Sequence, residues 1–209
     1  MIVLGLTGSV GMGKSTAAAM LRRLGVPVHD ADATVHRLMA PGGAAVAAVA
    51  KAFPDTRRKN GGGIDRVALG RRVFADAKAF QRLERILHPL VRQSQRRFLA
   101  AARARREPLV VLDVPLLFEG GGETRCDKVV VVSAPPAVQR ARVMARPGMT
   151  EARFRAILAK QMPDREKRRR ADYVVPSGLG RALTFRRLKR IVGELRHDAA
   201  CARDSRTAH

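Results

Sequence analysis

The residues Gly8-Ser9-Val10-Gly11-Met12-Gly13-Lys14-Ser15 meet the spacing G-x-x-x-x-G-K-[ST] in full. Glycines at these positions let the backbone take conformations that a side chain would forbid, so successive N–H groups can converge on phosphate oxygens. A lysine that follows them can reach the β- and γ-phosphates of a nucleoside triphosphate, and a hydroxyl one residue later can ligate Mg²⁺. Gly11, Met12, Gly13, Lys14, Ser15 and Thr16 are therefore the expected phosphate cradle, with Lys14 neutralising charge on the transferring group and Ser15 holding the metal. The apolar run Ile2 to Leu6 stands before the loop, and Ala17, Met20, Leu21 and Leu24 recur after it at i, i+3, i+4 and i+7. That is a strand, a loop and a helix whose N-terminal dipole faces the anion. A chance glycine-rich turn would not bring this context with it.

A triphosphate loop alone leaves kinases, GTPases, motors and other ATPases open, so the carboxylates and arginines elsewhere must decide. Asp30-Ala31-Asp32 follows the strand-like run Val26 to His29. A carboxylate there could take the proton of an acceptor hydroxyl held opposite the γ-phosphate. Asp32 is the candidate base, with an N-terminal helix cap as the competing role, and Asp30 is a positioning group or an indirect Mg²⁺ contact. Asp113 ends the run Leu109 to Asp113, where either a metal-binding carboxylate or an ordinary strand-end turn residue belongs. No Asn-Lys-x-Asp guanine-reading motif occurs, which favours a small-molecule kinase over a GTPase. Between Arg140 and Arg170 arginines and lysines crowd two short helical patterns, one opened by Pro136 and ended by Gly148, the next capped by Thr150. Such a segment reads as a lid over a triphosphate, with Arg140 and Arg142 the first candidates to touch it and the others solvated.

The elements that must position these groups follow from the hydropathy pattern. Near-continuous apolar runs at Ile2 to Leu6, Val26 to His29, Leu109 to Asp113, Lys128 to Ser133 and Tyr173 to Val175 alternate with helical patterns, which indicates a parallel sheet covered on both faces. The phosphate loop, Asp30, Asp32, Asp113 and Ser133 all fall at carboxyl ends of those strands, where such sheets gather ligands. The residues between the second and third runs exceed an ordinary crossover. They predict a helical insertion for substrate over about 33–105, with a polar turn at Lys59-Asn60-Gly61-Gly62-Gly63 and a long helix opening at Pro89. The lid spans about 137–171, within one domain over 1–195. After Val192 the chain turns Arg-, Ala- and Asp-rich, and 196–209 reads as a disordered tail.

Composition narrows the partners. The 209 residues carry 41 Lys and Arg, 33 of them Arg, against 18 Asp and Glu, a net charge of +23. Acidic ligands are implied, but aromatic residues make up only 4 % with no Trp, so stacking platforms for single-stranded nucleic acid are scarce and polyphosphate is the better reading. No specific nucleic acid is expected. No apolar run approaches the ~20 residues needed to span a bilayer, and no charged leader precedes the first strand, which predicts a cytoplasmic protein. Cys126 and Cys201 have no companion at metal or redox spacing.

Several ordered blocks together resemble the dephospho-CoA kinase family: LTGSVGMGKST (Leu6 to Thr16), HDADATVHRL (His29 to Leu38), IDRVALGRRVF (Ile64 to Phe74), LHPLV (Leu87 to Val91), DVPLLFE (Asp113 to Glu119) and KQMPDREKRRRADYVV (Lys160 to Val175). Ser9-Val10 stands where Gly-Ile is common in relatives, at positions the loop chemistry does not require. The resemblance implies an α/β, three-layer P-loop kinase fold with a five-stranded parallel sheet, a helical substrate-binding insertion and a helical lid. It implies transfer of the ATP γ-phosphate, with Mg²⁺, to the ribose 3′-hydroxyl of dephospho-CoA. On the acceptor side it singles out Asp30, Arg66, Arg72, His88 and Glu119 as substrate contacts. Arg66 and Arg72 suit a pyrophosphate but also a solvated surface; His88 suits either the CoA moiety or a helix cap; Gln161 suits adenine or the edge of a core. A kinase for a nucleotide, shikimate or gluconate would share the loop and lid but lack the IDRVALGRRVF and LHPLV blocks. A basic nucleic-acid-binding ATPase would share only the loop and the charge.

Overall fold

The computed structural model describes residues 1–58 and 62–207, so Lys59, Asn60 and Gly61 of the polar turn lie outside the described residues. The β-branched runs form β1 (Ile2–Thr7), β2 (Val28–Asp30), β3 (Leu109–Asp113), β4 (Lys128–Ser133) and β5 (Tyr173–Pro176). They make one five-stranded sheet of order β2-β3-β1-β4-β5. The β1–β3, β1–β4 and β4–β5 ladders are parallel, and the first sets Leu6 beside Asp113. Alternation along β4 divides the sheet's two faces: Val130 and Val132 join a core with Leu4, Leu6, Ala17, Leu21, Leu188 and Leu195, whereas Val129 and Val131 pack with Leu117 and Phe118. Helices on both faces explain why the strands read as unbroken apolar runs.

The chain divides into two compact units, residues 1–29 with 101–209, and residues 30–100. The first holds the sheet with α1 (Lys14–Arg23), α6 (Pro136–Met144), α7 (Glu151–Ala159), α8 (Asp164–Arg170) and α9 (Arg181–Thr207). The lid sequence thus forms a third helix, α8, beyond the two that its caps predict. Thr150 does cap α7, its Oγ1 accepting from Arg153 N at 3.2 Å. The second unit, 30–100 against the 33–105 read from the sequence, contains α2 (Ala31–Met39), α3 (Val46–Ala52), α4 (Arg66–Ala75) and α5 (Ala77–Ala104), whose last turn runs on into the first unit. Its own core gathers Met39, Val49, Phe53, Ile64, Leu69, Leu83 and Leu87.

Two expectations about helix limits are corrected. Pro89 does not open the long helix but lies inside α5, which already begins at Ala77. Leu83 and Leu87 bury one side of the preceding turns, and the proline sacrifices only the bond its missing N–H would give to the Arg85 carbonyl. The expected disordered tail over 196–209 is helical through Thr207. Leu188, Ile191, Val192, Leu195 and Ala199 are all buried, so the apolar stripe continues past Val192 in a sequence dense with arginine. Arg196 Nη2 reaches the carbonyls of Leu24 and Gly25 at 3.1 and 3.2 Å, satisfying orphan acceptors at the end of α1. Ala199→Asp, which forces a charge among the buried side chains of α9, should accordingly lower the unfolding free energy by about 1–3 kcal/mol in urea denaturation, against less than about 0.5 kcal/mol for a residue in a disordered tail.

Candidate active site

The phosphate loop leaves β1 and delivers Lys14 to the first turn of α1. Gly11 and Gly13 sit at φ 76° and 89°, the left-handed region, with Gly13 as the N-cap of α1. A Cβ on Gly11 would come within 2.5 Å of Val143 Cγ2 and 2.9 Å of the Gln139 carbonyl, so both conformation and space require glycine there. The loop's carbonyls are occupied. Ser9 O accepts from Met12 N at 3.1 Å and Gly13 O from Ala17 N at 3.1 Å. Val10 O accepts from Gln139 Nε2 at 2.8 Å, and Gly11 O from Arg142 Nη1 at 3.4 Å. Met12 O accepts from Ser177 Oγ at 2.6 Å. Lys14 Nζ lies 2.6 Å from Asp113 Oδ1, an ion pair whose side chains are 14 % and 2 % exposed. Ser15 and Thr16 are exposed and line an open pocket of about 670 Å³ with Arg23, Arg181 and Phe185.

Around the loop, the lid arginines part company. Arg142 Nη1 and Nη2 donate to Ser177 Oγ at 2.9 Å and Ser177 O at 2.7 Å, which places its guanidinium against the loop. Arg140 instead pairs with Glu151 at 2.9 Å, and its side chain is 60 % exposed. Glu119, expected on the substrate side, is committed within the protein: its Oε1 accepts from Met162 N at 2.8 Å and faces Lys167 Nζ at 2.8 Å. The Lys167 side chain is fully buried, and its ammonium lies too obliquely for a hydrogen bond. Ser133 Oγ donates to Asp164 Oδ2 at 2.7 Å, fastening the start of α8 to the end of β4. Burial pushes the Cys126 thiol up to about 11, which disfavours the thiolate at neutral pH.

In the second unit the cap belongs to Asp30, not Asp32: Asp30 Oδ1 accepts from Ala33 N at 2.9 Å. Asp32 lies in the first turn of α2 and is exposed. Arg66 is exposed at the start of α4, behind its N-cap Asp65, whose carboxyl is held below its usual range chiefly by the N–H groups of Ala68 and Val67. Arg72 faces Asp55 at 3.8 Å, both exposed. His88 sits in mid-helix, 3.6 Å from Glu84 one turn earlier, and so caps nothing. Sequence reasoning missed Gln139 and Ser177 altogether; no spacing rule marks a glutamine or a serine that serves backbone groups more than a hundred residues away. Gln161 Oε1 accepts from Val10 N at 3.1 Å, so this residue serves the phosphate loop.

A parallel sheet of this order, a glycine loop after its β1 strand, a lysine heading the next helix and arginine-bearing helices after β4 together define a P-loop kinase. The sequence model of the dephospho-CoA kinase family matches residues 2–179. A dephospho-CoA kinase from Paramagnetospirillum magneticum is 67 % identical over 168 residues, covering 80 % of this chain and 78 % of its own. One from Mesorhizobium japonicum is 56 % identical over 196 residues, 94 % of this chain and 98 % of its own. A crystal structure of a Thermus thermophilus protein superposes with a TM-score of 0.77 at 40 % identity, covering 93 % of this chain and 97 % of the other. The chain belongs to the dephospho-CoA kinase family.

Glu119 is partly exposed but Lys167 is fully buried, so removing the carboxylate strands a buried ammonium, and Glu119→Gln should cost about 2–3 kcal/mol of stability, below the full worth of a pair buried on both sides. Adding Lys167→Met should restore more than half of that loss in chemical denaturation. If Glu119 acted as a substrate ligand only, the single variant would raise KM for the acceptor and leave stability unchanged.

Proposed function

We propose that the protein transfers the γ-phosphoryl group of ATP to the ribose 3′-hydroxyl of dephospho-CoA, giving CoA and ADP. The observation that carries this reading is the match of the dephospho-CoA kinase family over residues 2–179, and its ATP half is supported by a loop whose carbonyls are occupied, beside a lysine held by Asp113. Chemistry on a triphosphate needs little from the protein beyond alignment and positive charge. The N–H groups of Gly11, Gly13 and Lys14 bind phosphate oxygens, and Lys14 moves from Asp113 to the oxygens of the transferring group. Arg142, on the loop, and Arg140, released from an exposed ion pair of little net worth, add charge as the lid closes.

Mg²⁺ suits this donor set, since it takes hard oxygen ligands and leaves most of its sphere to phosphates and water. Ser15 would hold it directly and Asp113 would face it, and the ion would neutralise charge on the phosphates. Asp32 accepts the proton of the acceptor hydroxyl. With the cap role filled by Asp30, the competing assignment for Asp32 loses its support. Arg66, Arg72 and His88, all exposed on the 30–100 unit, are the acceptor-side candidates.

An assay that couples ADP release to dephospho-CoA, AMP, shikimate and gluconate in parallel tests the assignment. Dephospho-CoA should be the substrate turned over, and chelation of Mg²⁺ should abolish the reaction. Preferential turnover of AMP or shikimate would overturn the acceptor while leaving the phosphate loop intact. Asp32→Asn should lower kcat by about 10²-fold, toward the lower end of what a positioned base supplies, because phosphoryl transfer has a loose transition state. Substrate binding should persist, and because Asp30 carries the cap, stability should fall by no more than the small dipole contribution of an exposed charge in the first turn, below about 1 kcal/mol.

A further inference from the structure

The trans peptide is planar, so its C=O and N–H point in opposite directions, and whatever holds one aims the other. In the phosphate loop, the hydrogen on Gly11 N belongs to the same peptide as the Val10 carbonyl, and the hydrogen on Gly13 N to the same peptide as the Met12 carbonyl. Gln139 Nε2 takes the Val10 carbonyl at 2.8 Å, and Ser177 Oγ takes the Met12 carbonyl at 2.6 Å. Gln161 Oε1 takes the Val10 N–H at 3.1 Å, which draws that donor away from the anion. Val10 is thus gripped at both polar atoms by two glutamines from different lid elements, one on α6 and one after α7.

We infer that Gln139 and Gln161 are positioning residues which set the peptide orientations of the phosphate loop, Gln139 by donating to Val10 O and Gln161 by accepting from Val10 N. Gln139 is 6 % exposed, so its amide has little water to turn to if the loop departs. Gln161 is placed by its neighbour: Met162 N donates to Glu119 Oε1 at 2.8 Å, which also faces the buried Lys167. The roles are chemically opposite, and that distinguishes them from general packing. A glutamine that must donate cannot be replaced by a carboxylate; one that must accept can. The inference rests on the proposed use of this loop for ATP.

The pair Gln139→Glu and Gln161→Glu tests it: both variants add one negative charge beside the same residue and remove opposite hydrogen-bonding capacities, and because the charge at position 139 is also the more buried, an uncharged variant accompanies them. Gln139→Glu should raise the ATP KM at least about tenfold above that of Gln161→Glu, the worth of one lost hydrogen bond at a buried acceptor. KM for dephospho-CoA should move less than about threefold in either. Gln139→Leu, which adds no buried charge, provides a second route: in ¹⁵N-labelled full-length protein without nucleotide it should shift the Gly11 amide resonance, and ATP should then perturb that amide less than in the wild type. Equal ATP KM values in the two glutamate variants, or a Gly11 amide untouched by Gln139→Leu, would overturn the inference. A wild-type Gly11 amide that ignores ATP while Gln139→Leu still shifts it would sink the ATP assignment and leave the positioning role standing.

Discussion

A row of backbone N–H groups can face one anion only if the carbonyls of the same peptides find partners on the other side. That constraint organises the sheet-bearing unit. Five successive carbonyls of the phosphate loop, from Ser9 to Gly13, are held by Met12 N, Gln139, Arg142, Ser177 and Ala17 N. Three of those partners are side chains from after β4 or after β5, so the loop's shape is not a local property of its glycines. Glycine permits the conformation, and the distant donors select it. The lid helices are consequently part of the cradle's wall before any ligand arrives.

The same logic explains which features were legible in the sequence. Strands β3 and β4 match their apolar runs residue for residue, because a strand buried on both faces admits almost nothing else. The phosphate loop was legible because its function constrains four positions, Gly8, Gly13, Lys14 and Ser15, at fixed spacing. Gln139 and Ser177 were not, since their partners are backbone atoms far away in sequence and a backbone atom leaves no residue-type signature. Pro89 misled because a proline announces a helix start more loudly than Leu83 and Leu87 announce that the helix is already under way. In α9 the arginines masked a stripe of Leu188, Val192, Leu195 and Ala199 that a count of apolar residues, as opposed to their spacing, passes over.

At the start of the 30–100 unit, the structure divides labour that the sequence left joined. Asp30 and Asp32 are two residues apart at a strand-to-helix junction, and either type could cap or react. The cap requires a side chain outside the helix folding back on the next turn's N–H, which only Asp30, with its extended backbone, can do. Asp32 has entered the helix, where its charge is favourable to the macrodipole but is not tied down. A carboxylate kept at a helix start without being spent on the cap is available for chemistry.

The pairing of β1 has a consequence for how the chain is made. Ile2 pairs with Leu109 and Leu4 with Lys128, so β1 has no neighbour in the sheet until β3 and β4 exist. Residues 30–100, by contrast, form a contiguous unit with its own core. During synthesis from the N-terminus the contiguous unit can close while β1 and its glycine loop wait as an unpaired apolar strand, open to association with other chains. Ladders of such long sequence separation are intrinsically slower to form than local helical contacts, so the topology sets the sheet's closure behind that of the contiguous helical unit.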